Sequence, residues 1–255
     1  MSLQYFSESS SPVYIQKSSQ NSILFYSAYD QVLSDDVFDT QIRLRIPFGC
    51  FGLLFSSKYQ IKNTLGVIDS DYRGNIKLLL TNKRKTCSEE NINFKKDELI
   101  CNVMITRYSH HPNLPPPSTI YSAGYDLTPS KFDVETNTFY LEKSITPQEG
   151  TYALVLPRSS AGIKGFRGVS MFLNTFSSFK LVNTTGGPIP EGRLAQVIFI
   201  KFNEGQRLYI EEGMSIVGYS SDFELVKIED EEEFKSLDEK EGLFLDRTGG
   251  FGSTG

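Results

Sequence analysis

The sequence predicts an all-β protein made of two copies of one unit, each a β-barrel or jelly-roll of two packed antiparallel layers, with a flexible C-terminal tail. Two observations predict it. Apolar stretches are short, rich in β-branched and aromatic residues, and punctuated by Gly, Pro, Asn and Asp at the spacing of strands and turns. The two halves of the chain also match each other in a series of short stretches. At 255 residues there is material for one large β domain or two small ones.

The strand pattern marks Ile42–Ile46, Cys50–Phe55, Ile76–Leu80, Ile100–Ile105, Tyr152–Leu156, Val169–Leu173, Ala195–Phe202, Arg207–Ile210 and Ser215–Tyr219. Only Glu231–Leu237 hints at helical periodicity, and it is short and acidic. The surrounding stretch 227–241 is read as a solvated acidic tether. The proline-rich stretch 110–118 reads as a linker. The expected division is therefore 1–109, a linker at 110–118, 119–226, and a tether with a glycine-rich tail at 227–255. The first 20 residues carry no legible role.

A net charge of −5 argues against a polyanion-binding surface, so no nucleic-acid partner is expected, while a small anion needs only local cations. Cys50, Cys87 and Cys101 have no metal-ligand spacing, which favours free thiols and a reducing compartment. His110 and His111 open the proline-rich stretch and read as loop rather than ligands. With no long apolar run and no signal-like start, a soluble intracellular protein without membrane contact is expected.

The internal match is specific. Tyr72–Leu79 aligns with Phe166–Leu173, and Asp97–Met104 with Glu191–Ile198, at an offset of 94, while Gly49 pairs with Gly150 at 101. Phe25-Tyr-Ser-Ala-Tyr-Asp30 echoes Ile120-Tyr-Ser-Ala-Gly-Tyr-Asp126. The change of offset means that the second half lacks about seven residues where the first has the Asn63–Asp71 hairpin. Conversely, Ser56-Ser-Lys58 and Leu99-Ile-Cys-Asn102 in the first half replace Pro157-Arg-Ser159 and Arg193-Leu-Ala-Gln196 of the second. Polar words survive on opposite copies, as expected if two half-sites have become one site.

Two stretches carry chemistry on their face. Asp69, at the tip of a hairpin, can orient and deprotonate a water. In the tail Arg247-Thr-Gly-Gly-Phe-Gly-Ser-Thr-Gly255, a lone ring, two hydroxyls and glycine amides suit a strap over a base and phosphates.

Gly66-Val-Ile-Asp-Ser-Asp-Tyr-Arg-Gly74, Ala123-Gly-Tyr-Asp-Leu127, Pro157-Arg-Ser159, Gly192-Arg-Leu-Ala-Gln196 and the tail resemble the five motifs of dUTPases, deoxyuridine triphosphate nucleotidohydrolases. The hairpin word comes first here, an order similar to the double-length, single-chain enzymes of herpesviruses.

The resemblance implies a monomer that hydrolyses dUTP to dUMP and pyrophosphate, keeping uracil out of DNA and supplying dUMP for thymidylate synthesis, in host cytoplasm or nucleus if viral. It implies Asp69 as catalytic base, and Asn63, Gly66 and Ile68 around the uracil edge. Tyr72 would lie under the sugar, and Arg158, Ser159 and Gln196 would meet the phosphates. Asp126 would hold Mg²⁺ through water, Phe251 would stack on uracil, and Arg247, Gly252, Ser253 and Thr254 would close on the phosphates. Arg193 is as readily structural, and Asp71 reads as a turn carboxylate bonding its own backbone. Two departures stand out. Ser160 follows Ser159 where the family has glycine, and Arg247 stands four residues before Phe251 rather than five. The alternatives are a dCTP deaminase on the same fold, which the intact tail and hairpin oppose, and a catalytically retired relative acting as a host-interaction module.

Overall fold

A computed structural model of the chain describes residues 2–18, 22–33, 37–56, 65–79, 92–184, 194–202 and 222–240, with 207–211 and 214–217 as backbone. Contacts divide it into two compact units. One comprises Met1–Phe48, Gly52–Ile105 and the stretch from Ser221, and the other contains Gly49–Phe51 and Thr106–Ser220.

All nine strands read from the sequence form, each within about two residues of its expected span. The duplication is visible in their order. In the first copy the strands Ser22–Ser27, Leu99–Arg107, Cys50–Phe55 and Gly66–Ile68 lie side by side in that order, extended by Val13–Lys17. In the second, Gly124–Leu127, Ala195–Lys201 and Thr151–Pro157 repeat the first three in the same order, with Ser170–Phe172 at the edge. Both buried central strands are continuous apolar runs, Cys50–Phe55 and Tyr152–Leu156, which suits strands covered on both faces.

The core of the second unit forms between this sheet and a three-stranded one, Lys131–Asp133, Thr138–Ile145 and Phe176–Lys180. Phe139 stacks on Phe179 at 5.5 Å and meets Phe166 edge-on at 6.3 Å, with Val155, Val197 and Phe199 in the same cluster. His111 is buried in this unit, its Nε2 2.8 Å from the Thr146 carbonyl and its ring against Phe199. Among the described residues no group of three His, Cys, Asp or Glu could enclose a metal. Cys50 and Cys101 are buried thiols, and burial pushes the pKa of both up.

Two expectations are corrected. The layers are not wholly antiparallel, because Ser2–Ser7 pairs in parallel with Glu224–Ile228 and antiparallel with Ile42–Arg45. A parallel neighbour needs a long crossover, and here the intervening chain supplies it. The acidic tether is also structure rather than linker: Glu224–Ile228 is a strand and Glu231–Lys240 a helix. Asp230 Oδ1 accepts the Glu233 amide at 2.8 Å, and Glu231, Glu232 and Glu233 fill the first turn, where the helix dipole favours anions. Phe234 is 1% exposed and packs with Phe6 and Ile228, so one face of the helix is core. Among the described residues no helix is long and apolar enough to cross a membrane.

Candidate active site

In the first unit, the site begins with a close approach of strands. Gly52 stands across from Ile68, and a Cβ on it would lie 2.9 Å from Val103 Cγ1 and 3.3 Å from Ile68 Cβ. Glycine thus lets the Gly66–Ile68 strand lie tight against its neighbour, with Ile68 buried as its anchor. Asp69 follows at once and is half-buried. The Tyr72 amide donates to the Asp69 carbonyl at 3.2 Å, closing a turn whose middle residues, Ser70 and Asp71, are buried. The Tyr72 hydroxyl donates to the Asn75 carbonyl at 2.8 Å, which fixes a half-exposed ring beside Asp69.

Arg73 locks this turn from within. Its Nη1 donates to the carbonyls of Ser70 at 2.7 Å and Tyr72 at 3.1 Å. Its Nε and Nη2 grip Asp238 Oδ2 and Oδ1 at 2.6 and 2.9 Å, a two-point fork. Arg45 Nε adds a bond of 2.9 Å to Asp238 Oδ1. Burial alone would raise the Asp238 pKa, but the bonds and charges of Arg73 and Arg45 hold it below the usual carboxylate range. Sequence reading missed Asp238. The signal was present: an Asp cap, three acids, then Phe234 and Leu237 at helical spacing mark a docked helix.

In the second unit, three words meet on one sheet. Asp126 stands directly across from Gln196, and Gln196 across from Leu156 on its other side. Gly124 shares the face of Asp126, two residues away along the strand, and a Cβ there would lie 2.6 Å from Gln196 Oε1. The glycine of this word therefore makes room for the Gln196 side chain. Arg158 leaves the end of the Thr151–Pro157 strand, its amide donating to the Leu194 carbonyl at 3.1 Å. Its Nη1 lies 3.1 Å from Asp126 Oδ1, both groups part-exposed. Ser159 is exposed and opens a short helix, Ser159–Ile163, so the turn after Arg158 is helical where Ser160 replaces glycine.

The arrangement can bind an anion and a cation at once. Arg158 and the Gln196 amide offer donors, and a single part-exposed carboxylate suits a magnesium ion that keeps most of its waters. The donor set fits Mg²⁺ held largely by a ligand's own phosphates.

The other copy has lost this chemistry at matching places. Leu24 stands across from Asn102 where Asp126 stands across from Gln196, and the buried Asn102 Oδ1 has no hydrogen-bond partner. This also corrects the sequence echo between Asp30 and Asp126: Asp30 lies beyond its strand and pairs with Lys95. Gly66, Ile68, Asp69 and Tyr72 thus come together in one unit, and Asp126, Arg158, Ser159 and Gln196 in the other. Asn63, Arg193, Arg247, Phe251, Gly252, Ser253 and Thr254 lie outside the described residues.

The dUTPase family model matches two successive stretches, residues 26–116 and 111–216. Among curated proteins, the deoxyuridine 5'-triphosphate nucleotidohydrolase of Fowlpox virus (strain NVSL) is 43% identical over 22% of this chain and 45% of its own length. That of Mus musculus is 33% identical over 33% of this chain and 55% of its own. The chain thus spans about half the length of these relatives. A Staphylococcus bacteriophage 80alpha dUTPase structure is 20% identical, covering 48% of this chain and 99% of its own at a TM-score of 0.33. With two matches of one family model together spanning residues 26–216, the chain belongs to the dUTPase family.

Proposed function

We propose that the protein hydrolyses dUTP to dUMP and pyrophosphate, as a single-chain enzyme of the herpesvirus type in which the two copies have divided the work. The observation that carries the reading is the complementary survival of polar groups. Asp126, Gln196 and Arg158 stand together in one copy where Leu24 and Asn102 stand in the other, while the other copy alone keeps the Asp69 hairpin. In this reading 1–109 supplies base, sugar and water, and 119–226 supplies the triphosphate side.

Asp69 takes a proton from water as its oxygen bonds to the α-phosphorus and the bond to the bridging oxygen breaks, releasing pyrophosphate. Tyr72, fixed by its bond to Asn75, presents a flat face to the deoxyribose and excludes a 2′-hydroxyl. Backbone groups from Asn63 to Ile68 read the uracil edge, where a wrong pyrimidine leaves buried donors unpaired. Arg158, Ser159 and Gln196 hold phosphate oxygens. Mg²⁺, when bound, would offset charge on those oxygens, held by the phosphates and through water by Asp126. Phe251 stacks on uracil, with Arg247, Gly252, Ser253 and Thr254 on the phosphates. One copy of each half in one chain makes a monomer sufficient, so the protein should elute near 28.8 kDa.

Pyrophosphate release with Mg²⁺ from dUTP, dTTP, dCTP and UTP, compared side by side, tests this. Release from dUTP alone is expected. Silence on all four from folded protein would sink the enzyme and favour a retired relative kept for binding a partner.

A further inference from the structure

Arg73 and Arg167 occupy the same place in the repeat, at an offset of 94. Both do the same local work. Arg73 Nη1 donates to the Ser70 and Tyr72 carbonyls, and Arg167 Nη1 to the Gly162 and Phe166 carbonyls. A guanidinium folded back onto its own turn is therefore a property of the repeat. The two copies differ in what stands behind it. Burial lowers the Arg167 pKa, and its described hydrogen bonds go to carbonyl oxygens alone. Arg73, 8% exposed, meets the carboxylate of Asp238, itself 4% exposed, from a helix 165 residues further along the chain. The carboxylate is thus added to the copy that keeps the Asp69 turn.

We infer that Asp238 is a positioning residue for that turn: its two-point grip fixes the Arg73 guanidinium, and Arg73 holds the Ser70 and Tyr72 carbonyls on either side of buried Asp71. Docking of the Glu231–Lys240 helix thereby sets the direction in which Asp69 presents its carboxylate. The inference rests on the reading of Asp69 as the base. A fork at 2.6 and 2.9 Å removes both the swing and the roll of the guanidinium, whereas a single contact would leave the roll free. Ser70 and Asp71 are buried, so a shift of the Ser70 or Tyr72 carbonyl moves the backbone of Asp69, whose own carbonyl is bonded to Tyr72.

Arg45 supplies the internal control. It also bonds Asp238, and from there it reaches Gln4 Oε1 and the Leu237 carbonyl, both outside the turn. Losing Arg45 weakens helix docking and leaves the Arg73 fork.

The test compares Asp238→Asn, Arg73→Lys and Arg45→Gln in the full chain, with Glu232→Gln on the exposed face of the same helix as reference. Steady-state kinetics on dUTP and amide exchange across residues 69–73 are read together. Asp238→Asn and Arg73→Lys should lower kcat by about tenfold to a hundredfold, the scale of a roughly 1 Å misplacement, with KM little changed and faster exchange in the turn. Arg45→Gln should lower Tm comparably and keep kcat within about threefold of the parent. Equal loss of kcat in Arg45→Gln and Asp238→Asn would overturn the inference, because helix docking would then be merely structural. Unchanged kcat and exchange in Asp238→Asn would overturn it too. If Asp238→Asn does not fold, Asp238→Glu takes its place: an intermediate kcat with intermediate exchange supports the inference, and a full kcat with an unprotected turn sinks it. If the parent turns over no dUTP, the reading of function fails by itself. Exchange then decides the coupling, supported if the turn opens more in Asp238→Asn than in Arg45→Gln and overturned if the two are equal.

Discussion

Gly49 and Gly150 form the same turn twice. Their φ angles are 77° and 73°, and nothing lies within 4 Å of where a Cβ would stand on either. Each carbonyl accepts an amide from the end of a partner strand, Gly49 from Tyr108 at 3.3 Å and Gly150 from Phe202 at 3.2 Å. Tyr108 and Phe202 are themselves at the repeat offset of 94, so one hydrogen bond has been kept in both copies. Open space and a left-handed backbone separate strain from crowding. Alanine at either position should therefore cost about 1–2 kcal/mol, and asparagine less, as read by urea unfolding. A neutral alanine would mean that the turn relaxes at no cost.

Asp69→Asn should fold like the parent, because its side chain sits half-buried at the end of the strand that Ile68 anchors. It should lose dUTP turnover by about a thousandfold or more while still binding nucleotide. Ordinary turnover would remove Asp69 from the role of base.

Gly124→Ala places a methyl 2.6 Å from where Gln196 Oε1 now lies. The Gln196 side chain can swing away, so the expected outcome is a modest loss of stability with a larger loss of kcat/KM, about tenfold, from one misplaced phosphate donor. Melting and kinetics measured on the same sample separate the two. A stability loss with normal kinetics would clear Gln196 of substrate contact.

Phe234→Ala should destabilise the first unit by about 3–5 kcal/mol, because the ring is 1% exposed between Phe6 and Ile228. Chemical unfolding with a probe in that unit measures it. No change would mean that the C-terminal helix contributes nothing to the fold.

The Asp238 pKa is held below that of an unfolded aspartate. A depressed folded pKa contributes stability that is present above the unfolded value, near 3.8, and is lost as pH falls through the folded one. The gap in Tm between parent and Asp238→Asn should therefore be full at neutral pH and close in acid below about 3.8. A gap that persisted at lower pH would show that Asn fails through packing rather than charge.

The sequence located nine of the strands, because apolar period and turn residues are local properties, and left Val13–Lys17, Ser22–Ser27, Thr138–Ile145 and Phe176–Lys180 unmarked. Cys50–Phe55 and Tyr152–Leu156 were legible as buried strands without any knowledge of what covers them. It also determined the duplication and which copy kept which polar word. It did not reveal Ser2–Ser7 as a strand, since that segment is completed only by Ile42–Arg45 and Glu224–Ile228. It misread 227–240, where acidic composition outweighed a two-residue apolar stripe, Phe234 and Leu237, that pays only when Phe6 is there to meet it. Cross-strand register was likewise decided by tertiary structure alone. Asp126 faces Gln196, and Leu24 rather than Asp30 takes the matching place, because pairing across a sheet is set by hydrogen bonds between distant segments. The grip of Asp238 on Arg73 belongs to the same class: two charges 165 residues apart in sequence have no local signature until the fold buries them together.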